Sequence, residues 1–191
     1  MTGDASADDQ DKARRFRDAA LPHLDDVFTL ARYLMRNAAD AEDAVQECYL
    51  RALRHFDSYR GPAMKPWLLA ILRNVCYGEF ARRGKQEISS DFSGDEPAAE
   101  ALPMWQEPQA SPETALLREQ ESATIRRLIG ELPQQFREAI VLREINDLSY
   151  QEIAEVSGVP VGTVMSRLAR ARAMLRSAWD AAESSTAGTT P

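Results

Sequence analysis

Cysteine, glycine and long apolar runs are all in short supply in this chain, and each shortage removes a class of protein. The 191 residues include two cysteines, Cys48 and Cys76. Their number and spacing support neither a disulfide framework nor a zinc site. Both fall among apolar residues in helical stretches, so small core residues are the expected role; a regulatory disulfide has no positive support. No apolar run is long enough to span a bilayer and no secretory signal is visible, so a cytoplasmic protein is expected. The nine glycines form no Gly-rich phosphate loop. Alternating β-branched runs are nearly absent, which argues against sheets. Catalytic groupings are missing too. His23 and His55 lie in unrelated helical contexts, and no nucleophile–base pair or metal set stands out. The expectation is an all-α protein that is not an enzyme and takes no metal or cofactor.

What is present is helical periodicity and segregated charge. The net charge of −7 looks wrong for a nucleic-acid binder until it is divided. Residues 1–85 carry fourteen basic and thirteen acidic residues, and residues 118–191 nine and ten. Residues 86–117 carry seven acidic residues and no basic one. Basic charge gathers on two helices while acid gathers in between. The chain alone should therefore bind duplex DNA weakly, since non-specific affinity comes from neutralising phosphates.

The clearest local pattern runs from Leu148 to Arg176. Ser149 is a good N-cap, and Glu152 three residues on completes a capping box. Ser157-Gly158 breaks the short helix, and Pro160 suits the first turn of the next. Val164, Leu168, Ala171 and Leu175 then make one apolar stripe. The other side carries Thr163, Ser166, Arg167, Arg170, Arg172 and Arg176. A short helix, a glycine turn and a basic second helix make a helix-turn-helix, whose second helix enters the major groove. The plain alternative is a solvated basic face on a helical hairpin.

Earlier in the chain, residues 1–10 are polar and expected to be disordered. Leu24, Val27, Phe28, Ala31 and Leu34 form a helical core stripe. Asp40 is a candidate cap for the next helix, whose inner face is Ala44, Val45, Cys48 and Leu53. Its outer face carries Asp43, Gln46, Glu47 and Arg51. A third helix runs from Lys65 to about Arg83. There Arg73, Arg82 and Arg83 are interleaved with Trp67, Asn74, Tyr77 and Phe80. Cations among aromatics and an amide suit single-stranded nucleic acid, with phosphates on the cations and bases on the rings. Core packing is the competing role for each ring, and Trp67 can do both. Residues 86–113, rich in Pro, Ser and acid, read as a linker. Helices return over 113–129 and 134–145, with Ile125, Phe136, Ile140, Val141 and Ile145 on the buried side. Residues 181–191 are expected to be mobile. Two small helical domains result, 11–85 and 114–180.

Four blocks in this order resemble the extracytoplasmic-function sigma factors, the small promoter-specificity subunits of bacterial RNA polymerase. They are DAEDAVQECYLRALRHF, PWLLAILRNVCYGEFARR, ELPQQFREAIVLREINDLSYQEIA and GVPVGTVMSRLARAR. The resemblance implies that Asp43, Gln46, Glu47 and Arg51 dock on the clamp helices of the polymerase β′ subunit. It implies that Trp67 and Asn74 act on the melted −10 element, with Arg82 and Arg83 on its backbone; Arg73 and Tyr77 join that set. Ser166, Arg167 and Arg170 match positions that read the −35 element, with Thr163 on a phosphate. The second domain would also meet the β flap, and an anti-sigma factor would cover both domains. The acidic linker would resemble a plug in the RNA exit path, or serve as a solvated spacer. Met165 and Ala169 depart from the family pattern, as does the loop Gly61–Lys65. A stand-alone helix-turn-helix regulator is the alternative, and it predicts tight DNA binding without polymerase.

Overall fold

The computed structural model describes residues 4–89 and 112–187. The acidic stretch 90–111 lies outside the described residues. Regular structure among the described residues is helical throughout.

Helix α1 spans Asp4–Ala20 and passes through a 3-10 turn, Leu21–His23, into α2, Leu24–Met35. Pro22 fits that turn because its missing N–H falls where the helix has no partner for it. Within the stretch 1–10 expected to be disordered, residues 4–10 are helical. Arg36 ends α2 in the left-handed conformation, φ 63°. Asn37 then caps α3, Ala38–His55, by accepting from the Asp40 backbone N–H at 3.2 Å. The expected cap, Asp40, sits three residues inside instead. Its carboxylate reaches across to Arg83 through two bonds of 2.6 and 2.8 Å.

A second 3-10 turn, Phe56–Ser58, leads to α4, Met64–Ser89. Helix α5 spans Pro112–Glu131, so the linker expected over 86–113 is helical at both of its ends. Helix α6, Gln134–Ile140, continues into a widened π turn, Val141–Ile145, where the Asn146 N–H bonds back to the Val141 carbonyl. The extra residue in that turn shifts the register. Val141 and Leu142 point inward, while Ile145, expected in the core, is exposed. Ile125 and Leu24 are exposed as well. Helices α7, Tyr150–Ser157, and α8, Val161–Ala187, complete the chain, with α8 extending well into the expected tail.

Helices α2, α3 and α4 pack against one another, with Leu30, Leu34, Cys48, Leu68 and Leu72 fully buried between them. Helices α6, α7 and α8 do the same around Val141, Ile153, Val164 and Leu168. The groups are not apart: α4 packs on α7 and α2 on α6, and the buried apolar residues form one continuous core. Each fully buried Leu contributes about 1.5–3 kcal/mol. Polar seams reinforce the junction. Buried Asn146 donates to the Asp26 carbonyl at 3.0 Å. Arg36 donates to the Gly130 carbonyl at 2.7 Å.

Candidate nucleic-acid interface

The turn between α7 and α8 forms as its residues dictate. Ser149 Oγ accepts from the Glu152 N–H at 3.2 Å, and the Glu152 carboxylate accepts from the Ser149 N–H at 2.8 Å. The Ser149 hydroxyl donates to Glu152 Oε2 at 2.7 Å, and that bond, followed by the Ser149 N–H, holds the Glu152 carboxyl below its usual range. Gly158 takes φ 65° and closes α7, a conformation without cost only to glycine. Helix α8 then buries Val164, Leu168 and Ala171, which leaves Ser166 and Arg170 exposed and Thr163 and Arg167 half-buried. Ser166 donates to the Thr163 carbonyl at 2.9 Å. Arg172, on the same basic helix, is held by Glu144 at 2.7 Å. Met165 is 54% exposed and brings an apolar side chain onto that face.

On α3, Asp43, Gln46 and Arg51 are exposed and Glu47 half-exposed, with Arg51 donating to Glu47 at 2.6 Å. Leu50, 45% exposed, belongs to this face by helical spacing. The charged pattern concealed it. One apolar residue ringed by charges is better suited to docking a protein than charge alone.

Helix α4 places its candidates in three settings. Trp67 is half-buried and packs its ring on Tyr59, centroids 4.6 Å apart. The pair lines a cavity of about 510 Å³ together with Gly61, Pro62 and, from α7, Glu152 and Glu155. Trp67 therefore packs and also presents an edge, and Tyr59 joins it as a ring that helical periodicity could not assign. Asn74 and Arg82 are exposed, Arg82 next to Glu79 at 2.5 Å, and Arg83 is held by Asp40.

Arg73 and Tyr77 are sequestered. The Arg73 guanidinium lies over the Tyr77 ring, 4.2 Å from its centroid. Arg73 Nε donates to Glu138 Oε1 at 2.5 Å and the Tyr77 hydroxyl donates to Glu138 Oε2. Ser157 Oγ donates to Oε1 at 3.1 Å. Glu138 is 1% exposed. Burial first, then the bond to Glu138, push the Tyr77 phenol up to about 12. Sequence reasoning missed Glu138; its only signal was a carboxylate between Phe136 and Ile140 on an inward-facing helix.

The thiols of Cys48 and Cys76 are buried, and burial raises both to about 12. Cys48 donates to the Leu68 carbonyl at 3.4 Å. They pack as small core residues and hold little thiolate at neutral pH. Among the described residues no three metal-ligating side chains converge, and no helix is long and apolar enough to cross a membrane.

Comparison with known proteins places the chain in a family. Residues 20–86 match the family model of Sigma-70 region 2, and residues 122–175 that of Sigma-70, region 4. The chain is 34% identical over 168 residues to the RNA polymerase sigma-H factor of Pseudomonas aeruginosa, covering 83% of each. It is 38% identical over 136 residues to the ECF RNA polymerase sigma-E factor of Escherichia coli, covering 71% of each. Among solved structures, it resembles the sigma factor RpoE of Bartonella quintana, determined in complex with the anti-sigma factor NepR. That match has a TM-score of 0.73 and 28% identity, over 87% of this chain and 98% of that one. The fold of CnrH is also similar, with a TM-score of 0.60. A capped helix-turn-helix with a basic second helix, joined to a helix of interleaved cations and rings, thus belongs to a chain of the sigma-70 family, an extracytoplasmic-function sigma factor that acts in promoter-specific transcription initiation.

Proposed function

We propose that the chain uses its three presented faces for three separate tasks. The α3 face, Asp43, Gln46, Glu47 and Arg51 around Leu50, docks on the β′ clamp helices of core RNA polymerase. Helix α4, through Trp67, Arg73, Asn74, Tyr77, Arg82 and Arg83, captures the unpaired strand of the −10 element. Helix α8, through Thr163, Ser166, Arg167 and Arg170, reads the −35 element in the major groove, and its domain meets the β flap. The working units are residues 11–85 and 114–180, joined by the acidic stretch 86–113.

The observation that carries this reading is α8 itself, whose apolar stripe is buried while Ser166 and Arg170 remain outside. Arg on such a helix can pair bidentately with guanine, worth about 1–3 kcal/mol of discrimination per base. Strand capture by α4 follows a similar balance. Extruding a base costs a few kcal/mol, and stacking on Trp67 or Tyr59 returns about 1–3 kcal/mol. Binding energy, with polymerase holding the products, can therefore drive melting without a nucleotide-hydrolysing site. Control by an anti-sigma factor is part of the proposal, supported by the solved complex of the Bartonella quintana sigma factor.

Run-off transcription with core polymerase on genomic fragments tests the reading. Reversing charge with Arg167→Glu and Arg170→Glu should abolish promoter choice and leave core binding intact. Tight occupancy of a short duplex by the chain alone, indifferent to polymerase, would sink it.

A further inference from the structure

We propose that Met165 specifies one base of the −35 element: its side chain selects thymine, through the C5-methyl group, beside the base pairs read by Ser166 and Arg170. The proposal rests on the assignment of α8 to that element and names the residue there that reads by apolar contact. Met165 lies in the second turn of α8, which starts at Val161. The amino-terminal residues of a recognition helix are the ones that reach base edges, and helical side chains lean toward that end. The stripe of Val164, Leu168 and Ala171 is buried, and Met165 stands outside it, 54% exposed. Helical spacing sets two parallel rows on this outward surface. Met165, Ala169 and Ala173 follow one another at four-residue steps, and Ser166 and Arg170 do the same one residue on. All five are exposed. Within the first row Met165 alone has a long side chain. Gly162, one turn before it, adds none, although a Cβ there would meet nothing in the protein. Met165 therefore projects past its neighbours and is the side chain of that row that a major groove would cover.

Chemistry decides which base that side chain accepts. In the major groove guanine, adenine and cytosine present hydrogen-bonding atoms, while thymine adds a methyl group. A thioether donates no hydrogen bond and accepts only weakly. Set against a polar edge, it would strip water from those atoms and return no partner. Set against thymine, it buries a methyl group under a flexible, polarisable chain that adapts to the contact. Ser166 bounds the apolar row. Its hydroxyl donates to the Thr163 carbonyl at 2.9 Å, which leaves its oxygen to accept from the amino group of adenine or cytosine. The two rows thus read by different means, one by hydrogen bonds and the other by apolar contact.

The test uses the full chain bound to core RNA polymerase. Promoter duplexes randomised across the −35 segment, and constant elsewhere, are selected by this holoenzyme. The enriched thymines are then replaced one at a time by deoxyuridine, which removes the methyl group alone. Wild type should enrich thymine and lose about fourfold in affinity at one such position, the worth of one buried methyl group. Met165→Ala, a change at an exposed helical position that spares the fold, should lose both the preference and the methyl sensitivity there. It should keep the bases set by Arg170. No methyl-sensitive thymine in the wild type, or one whose sensitivity survives Met165→Ala, overturns the proposal. Arg170→Ala separates it from the underlying reading. If Arg170→Ala changes the enriched sequence and Met165→Ala does not, apolar readout alone is wrong. If neither variant changes it, α8 does not read the −35 element and the proposal falls with that assignment.

Discussion

Tyr77 holds its proton tightly because burial and donation to Glu138 both favour the phenol. In the unfolded chain it titrates near 10. A folded-state value raised to about 12 means that its contribution is complete below pH 10 and is lost as the pH climbs toward 12. Tyr77→Phe leaves a fully buried carboxylate oxygen short of a donor, which should cost about 1–3 kcal/mol at neutral pH. The gap between wild type and variant should narrow above pH 10. Denaturant unfolding at neutral and alkaline pH measures both; a gap independent of pH would contradict the bond. Asn37 and Asp40 teach a different lesson at this scale. Both residue types cap helices, and sequence favoured the later one. Structure gives the cap to Asn37 because Asp40 is needed three residues on, where Arg83 meets it.

Elements whose residues interact mainly with near neighbours were legible in the sequence. The capping box at Ser149, the left-handed Gly158 and the apolar stripe of α8 involve partners within a few residues, so pattern alone finds them. Ser149→Ala should cost about 1 kcal/mol, the worth of a cap, and lower the melting temperature without altering the helical content of the folded state. Circular dichroism during thermal unfolding measures it; no change in melting would mean that α7 is held by packing alone. Elements that bend to their neighbours were less legible. The π turn at Val141–Ile145 moves Ile145 outward and Asn146 inward, and helical periodicity carries no sign of it. Asn146 instead answers to Asp26, 120 residues away.

For the whole molecule, the continuous core binds the two domains more closely than their compositions imply. Apolar faces of α4 and α7 meet and Glu138 closes the seam. The full chain should therefore unfold in one calorimetric transition, and Glu138→Gln should split it or broaden it into two. Two transitions in the wild type would mean that the seam contributes little to stability.

The sequence by itself determined the helical class, the helix-turn-helix, the candidate faces on α3, α4 and α8, and the family resemblance that relatives and solved structures bear out. Those features depend on periodicity, capping and short-range charge patterns, which a linear reading can sum. Only the tertiary structure decided which candidates are exposed and which are engaged. Arg73 and Arg83 look alike along the chain, yet one is drawn into a buried cluster by Glu138 and the other onto the surface with Asp40. The reason is physical. A charge responds to whatever the fold brings within a few ångströms, and for Arg73 that group lies 65 residues away.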